Sequence, residues 1–458
     1  MSPLAVPARR FKFWLRLSRA YFQRYRLRLA ISLVAVTFFT LATINIWPKV
    51  SRTNVIAIGY IGSHTVETIP TEILSLATQP LISTSGQGKP VPALASHWTV
   101  SDDGKTYIVF LKDNLKWHDE TLVDTSNVAI AITNIEITAL NNKAIEFKLP
   151  SSIASFPQAL NKPVFKTKTF YGTGQYRIVK IDTVDDIVKK IVLHPKDTSL
   201  PVVEIKFYQT QLQAANALKI GEVKVARIPN GEDFSNWPNL SVSRQTDYTQ
   251  TITLFFNTQD ENLSSKDLRQ ALAYAVDSSR FDGEPAHSPI PPNSWAYNEN
   301  TKRYNYNTGK SKELLAKLQT ENVDLKLSVL PGLEELALNI KQDWEAIGIH
   351  VEIENVQTTP EDFQVLLAVN ELMPDPDQYA LWHSTQTVTN ITKYKDVRVD
   401  KLLEDARSTS DEARRKELYF DFQKSLMEDL PAAFLYHPYK YNVVYKNIES
   451  LLKKLPSS

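Results

Sequence analysis

Cysteine is absent from all 458 residues. That absence removes disulfide scaffolds, thiol nucleophiles, Cys-ligated zinc, iron–sulfur clusters and diacylglycerol attachment at a lipobox. Catalytic spacing is equally scarce. The eight histidines, His64, His97, His118, His194, His287, His350, His383 and His437, contain no HxxxH or HxH pair, so their spacing marks no metal site. There is no Walker lysine motif and no G-x-S-x-G elbow. The run GTGQYR at Gly172 to Arg177 lacks the third glycine of a dinucleotide fingerprint and lies between strand-like runs, which makes it a tight turn. No cofactor and no enzymatic activity are expected.

What the chain does have is apolar material: 43% hydrophobic residues, with 19 Tyr, 19 Phe and 8 Trp. At about 100–200 residues per domain the length suits two to four domains. Charge is balanced only in total, 52 basic against 51 acidic side chains. Residues 1–28 hold eight Arg or Lys and no acid, and Lys49 and Arg52 follow. With those ten removed, 42 basic side chains face 51 acidic ones from Asn54 onward, a net charge of −9. A nucleic-acid partner does not suit that body.

Between the two charge regimes lies Leu29 to Trp47, an uncharged run long enough for the roughly 30 Å hydrocarbon layer. The positive-inside rule orients it N-in, C-out, giving a basic cytoplasmic tail (1–28), a single-pass transmembrane helix (29–47) in the cytoplasmic membrane and an extracytoplasmic body. A cleaved signal peptide is the alternative. The long basic lead, the length of the apolar run and the lack of a small-x-small site favour a retained anchor. The aromatic residues among the arginines of 9–28 also suit an amphipathic helix on anionic lipid, or a simple charged flank.

In the body, Val55 to Ile58 predicts a buried strand, and Ile69 to Ile82 has apolar residues at near-helical spacing. Asp103-Gly104 and Val184-Asp185-Asp186 predict hairpin turns. Two segments read as strand–helix–strand units: Val202 to Ile228, with Gly221 stopping its helix, and Leu325 to Ile353, with Gly348 in that place. Further helices are expected at Ser265 to Phe281 and at Asp411 to Leu430, the latter capped at Thr409-Ser410-Asp411-Glu412. Two separate units of this kind imply two α/β lobes. The Pro-rich loop His287 to Ser294 reads either as a lobe-crossing loop or as a surface turn. Met373-Pro374-Asp375-Pro376-Asp377, followed by Tyr379, Trp382 and His383, reads as a stiffened binding loop or a rigid turn with exposed acids. Two acids so close in one loop are not an opposed glycosidase pair.

Several segments together resemble the family 5 bacterial extracellular solute-binding proteins, the peptide- and nickel-binding components of ABC importers. They include VPALASHWTVSDDGKTYIVFLKDNLKWHD from Val91, GTGQYRIVK from Gly172, ALKIGEVKVARIP from Ala217, DLRQALAYAVD ending at Asp277, PIPPNSWAYN from Pro289 and PDPDQYALWHS from Pro374. The resemblance implies a type II, cluster C, periplasmic-binding-protein-like Venus flytrap of two α/β lobes and a small strand-rich insertion, preceded by the transmembrane helix. The boundaries expected are 54–87, 168–256 and 433–450 for the first lobe, 88–167 for the insertion and 257–432 for the second lobe. It further implies capture of peptides or a similar extended organic solute and delivery to ABC permease subunits. A family-derived extracytoplasmic sensor or interaction domain without transport is the alternative. Trp295, Tyr379 and Trp382 are the candidate ligand-binding walls, and Glu371, Asp375, Asp377 and His383 the candidate polar anchors. The family's aspartate for a peptide's amino group falls on Leu372 here, and Glu371 beside it points to the other face of an extended segment.

Overall fold

Strand-forming runs dominate the body, and most of them join one twisted sheet. The computed structural model describes residues 14, 19, 24, 25, 54–229, 234–318 and 323–456. The expected span at 29–47 lies outside the described residues, and among the described residues no helix is long and apolar enough to cross a membrane. The chain divides into Met1–Val55 and Ile56–Ser458, and the cores below belong to the second unit.

The sheet turns on its last strand, Ala432–Tyr445. Ala432 to Tyr436 pair with the antiparallel strand Gln250–Phe256, while Tyr441 to Val444 pair with Val225–Ile228. Leu240–Thr246 pairs with the same half, from Tyr445 back to Tyr439. Beyond Gln250–Phe256 the sheet continues through Val365–Glu371 to Asp324–Val329 and His350–Asn355; beyond Val225–Ile228 it continues through Val55–Ile61 and Val202–Tyr208 to the hairpin Ile187–Pro195 and Tyr176–Val184.

Each side of this strand carries its own core. On one side Ile56, Ile191, Val203 and Ile205 pack together, and Ala214, Leu218, Val223 and Val443 form a smaller neighbouring cluster. On the other, Phe256, Leu272, Ile340, Trp344, Leu367 and Phe422 pack together. A four-stranded antiparallel sheet holding Thr106–Leu111 between Ala95–Val100 and Ala144–Lys148 encloses a further core around Trp117, Phe147 and Val164. Leu81 and Ile82 belong to that core, upstream of position 88, and Ile252 to Phe256 belong to the second α/β core, upstream of position 257.

The turn chemistry accounts for the hairpins. Asp185 and Asp186 both adopt positive φ, 50° and 61°, as a two-residue hairpin turn requires, and Gly104 does so at 67°. Both strand–helix–strand units form, with helices Gln211–Lys219 and Glu334–Glu345. Asp411 caps Glu412–Asp429 by accepting from the Arg414 amide. Two expected helices are shorter than their periodicity. Only Thr71–Leu74 is helical within 69–82, because Gln79 precedes Pro80 and is kept out of the helical region, and the Gly174 amide donates to the Ala77 carbonyl. The helix within 265–281 stops at Ala275; Asp277 donates its amide to Asp343 and accepts from the Ser279 amide, diverting the chain into the short turn Ser278–Arg280.

Where the chain passes between cores, Asp247 takes up a bend: its amide donates to the Pro438 carbonyl at 2.8 Å and its carboxylate meets Lys440 Nζ at 2.6 Å. His437 sits opposite, fully buried, with Nδ1 2.8 Å from the Gln250 carbonyl and Tyr248 edge-on to its ring. Glu284, Asp247 and His287 are the other ionisable groups facing it. Burial holds His437 below the ordinary imidazole value of 6.5, against the hydrogen bond to Gln250 and the two carboxylates. The unfolded chain therefore binds this proton first as the pH falls, and stability drops below about pH 6.5. His437→Asn is expected to flatten that acid limb in an unfolding-temperature series from about pH 8 to about pH 5; an unchanged slope would place the titration elsewhere.

Candidate functional site

The segment after Val365–Glu371 extends the strand by one residue and then folds back. Leu372 donates its amide to the Thr249 carbonyl at 2.8 Å, after which Pro374 and Pro376 deny the chain further ladder donors. Asp375 accepts from the Asp377 amide and Asp377 from the Tyr379 amide, two successive side-chain turns that lead into the short helix Tyr379–Trp382.

Leu372, Met373 and Pro374 form one wall of a cleft of about 250 Å³. The turn Thr84 to Gly88 forms the opposite wall, Tyr248 and Thr249 the floor beside the crossing, and Pro291, Asn293 and Ser294 the remaining side. The walls touch directly. The Trp295 amide donates to the Gln87 carbonyl at 2.9 Å, and a Cβ on Gly88, whose φ is +84°, would run into the Pro374 carbonyl oxygen. Farther along the same seam the Ala154 amide donates to the Arg407 carbonyl at 2.8 Å, Ser155 Oγ lies 3.1 Å from Asp377 Oδ2, and Lys89 pairs with Glu412 at 2.6 Å.

The candidate residues divide between this cleft and its supports. Trp295 is nearly buried at the rim, with its ring 5.4 Å from the Arg415 guanidinium and edge-on to Tyr419. Asp375, 5% exposed, accepts from Arg415 Nη2 at 3.0 Å, and Arg415 also donates to Tyr419. Burial pushes the Asp375 carboxyl above its ordinary value, against the pull of Arg415. Asp377 meets Arg407 at 3.5 Å, and the same guanidinium lies 4.5 Å from the Tyr379 ring. Tyr379 stacks on His383 at 4.2 Å, and His383 is buried with Nε2 3.3 Å from Glu404. Trp382 is 1% exposed, bonds Gln378 through its indole N–H and packs edge-on to Phe434 within the second core. Glu371 is exposed at the end of its strand.

None of these seven residues lines the cleft itself. Asp375, Trp295 and Arg415 form one cluster behind it, and Asp377, Tyr379, His383 and Arg407 another beside it. Of the lining residues missed by sequence reasoning, Gln87 and Asn293 lie in turns whose only signal was their flanking Gly or Pro, and Tyr248 lies in a turn that has neither. Of the two readings of 287–294, the lining Pro291, Asn293 and Ser294 give that loop a face on the cleft. Among the described residues no three His, Asp or Glu side chains gather to hold a cation.

Comparison with known proteins follows the same lines. The family model described as "Bacterial extracellular solute-binding proteins, family 5 Middle" matches residues 89–390. The di/tripeptide-binding protein 1 of Pseudomonas aeruginosa is 24% identical over 450 residues, covering 79% of this chain and 83% of that protein. Heme-binding protein A of Haemophilus influenzae is 22% identical over 429 residues, covering 74% and 77%. Among solved structures, a nickel ABC transporter protein from Bacillus halodurans superposes with a TM-score of 0.75 at 17% identity, covering 86% of this chain and 95% of that one. CtaP, an ABC transporter substrate-binding protein of Listeria monocytogenes, gives 0.72 at 21%, covering 86% and 94%. These likenesses identify the type II binding-protein fold, and the family match extends over well over half the chain. The chain belongs to the bacterial extracellular solute-binding proteins, family 5.

Proposed function

We propose that this chain is the membrane-tethered, extracytoplasmic solute receptor of an ABC importer, closing two lobes on a peptide or similar extended organic solute and passing it to a permease. The observation that carries this reading is the cleft at the crossing of the sheet, with Gln87 and Gly88 on one wall and Leu372, Met373 and Pro374 on the other. The chain passes between the cores near Asp247–Gln250 and Tyr436–Lys440, which suits a hinge whose few backbone torsions open and close the cleft. The names of the relatives, di/tripeptide-binding and heme-binding among them, point to an organic solute. Binding without chemistry is the expected activity. Trp295, Asp375 and Arg415 would hold the rim of the cleft rigid, and Asp377, Tyr379 and His383 would brace the loop beside it. The run at 29–47 would anchor the protein, with its basic lead in the cytoplasm.

Native mass spectrometry of the full chain, purified in detergent without denaturation, is expected to show a releasable small solute. A protein that is empty and gains no thermal stability from peptide pools or cell-extract fractions would sink the receptor reading. Alkaline carbonate extraction of membranes is expected to leave the chain in the pellet, and release into the supernatant would remove the anchor. Gly88→Ala places a side chain at a left-handed position, at a cost of about 1–2 kcal/mol, and against Pro374. It is expected to weaken solute binding by roughly tenfold or more and to enlarge the radius of gyration in small-angle X-ray scattering. Unaltered scattering and affinity would argue against closure at this contact.

A further inference from the structure

The cleft lining contains no ionisable acid or base other than the Tyr248 phenol: its thirteen residues include no Asp, Glu, Lys, Arg or His. From this we infer that the solute is uncharged where the cleft encloses it, and is recognised through amide or hydroxyl groups rather than through ionised termini. The inference rests on the receptor reading above and narrows the class of solute that the receptor takes.

Nearby charges are committed elsewhere. Glu284 accepts from the Tyr248 hydroxyl at 2.7 Å and from Thr246 at 2.9 Å. Asp247 accepts from Thr249 and pairs with Lys440. Lys89, the one basic residue next to the Thr84 to Gly88 turn, pairs with Glu412, while Asp375 and Arg415 satisfy each other behind Trp295. Glu371 leaves its strand on the face opposite to Leu372. An ammonium or carboxylate enclosed by the cleft would surrender part of its water and meet no counter-ion in the lining.

Neutral polar groups are in place instead. Gln87 and Asn293 bring exposed carboxamides to two adjoining sides of the lining, and among the described residues neither side chain has a hydrogen-bond partner in the protein. Each offers two donors and an acceptor, the complement of an amide or a hydroxyl. Leu372 and Met373 supply apolar contact; Met373 is 70% exposed and contributes little to the core. At Gly86, on the wall formed by Thr84 to Gly88, an added Cβ would meet only open space.

The test is calorimetric titration of the full chain with two probes of one backbone, alanyl-alanine and N-acetyl-alanyl-alanine amide. The blocked probe is expected to bind at least roughly tenfold more tightly. Met373→Asp, at an exposed position that leaves the core intact, is expected to narrow or reverse that preference by giving the ammonium a partner. Equal or tighter binding of alanyl-alanine by the unaltered protein would overturn the inference while leaving the receptor reading standing. So would a preference that Met373→Asp does not move. Should neither probe bind, the charge of the solute released in native mass spectrometry decides: a neutral species supports the inference and an ionised one overturns it. A protein with no solute at all removes the receptor reading and this inference with it.

Discussion

Hydrogen bonding along the strand Ala432–Tyr445 is the constraint to which the rest of the structure answers. One end is bonded into the sheet that carries the second α/β core, and the other into the sheet that carries the first. Neither half can complete its backbone pairing without this segment, and an unpaired buried ladder would cost each the desolvation of several amide groups. The bend near Asp247 is tolerated because that residue replaces lost ladder partners with its own side chain. A register shift between Ile252 and Thr253 lets the neighbouring strand follow the change of direction. The cleft is thus a product of the crossing: Tyr248 and Thr249 line it because the chain must turn there.

The acidic loop shows how a binding motif and a scaffold can share a sequence. Asp375 and Asp377 look like exposed ligands when read along the chain, since proline-flanked acids are normally solvated. Arg415 and Arg407, from helices that follow in sequence, turn them inward. Burying a carboxylate is tolerable only with such a partner and with further hydrogen bonds, which the Asp377 and Tyr379 amides provide. The result is a rigid segment that presents Leu372 to Pro374 to the cleft.

Much of the fold was legible because local chemistry and tertiary need agree. Asp185-Asp186 and Gly104 accept positive φ cheaply, and Gly221 and Gly348 end helices whose apolar stripes face a sheet. The helical spacing in 69–82 misled because Ile73, Ala77 and Leu81 are all buried, but in different surroundings: the first two under the main sheet and Leu81 in the core of the four-stranded sheet. Periodicity records burial and cannot say that one partner serves every residue. The walls of the site were harder to read for the opposite reason. Gln87, Asn293 and Tyr248 have no periodic neighbours, and only the meeting of three distant turns makes them adjacent. Trp382 and His383 gave the stronger chemical signal, and the structure uses both for packing beside the loop.

The seam between the four-stranded sheet's core and the second core uses main-chain acceptors, the Arg407 carbonyl taking the Ala154 amide and the Ser408 carbonyl the Ser152 hydroxyl. A backbone acceptor is present whichever side chain its residue carries. Positions 407 and 408 can therefore change their side chains and keep these two acceptors, whereas the lining of the cleft changes with each side chain of the turns that meet there. The contact along the seam and the chemical character of the cleft are in that sense separately heritable.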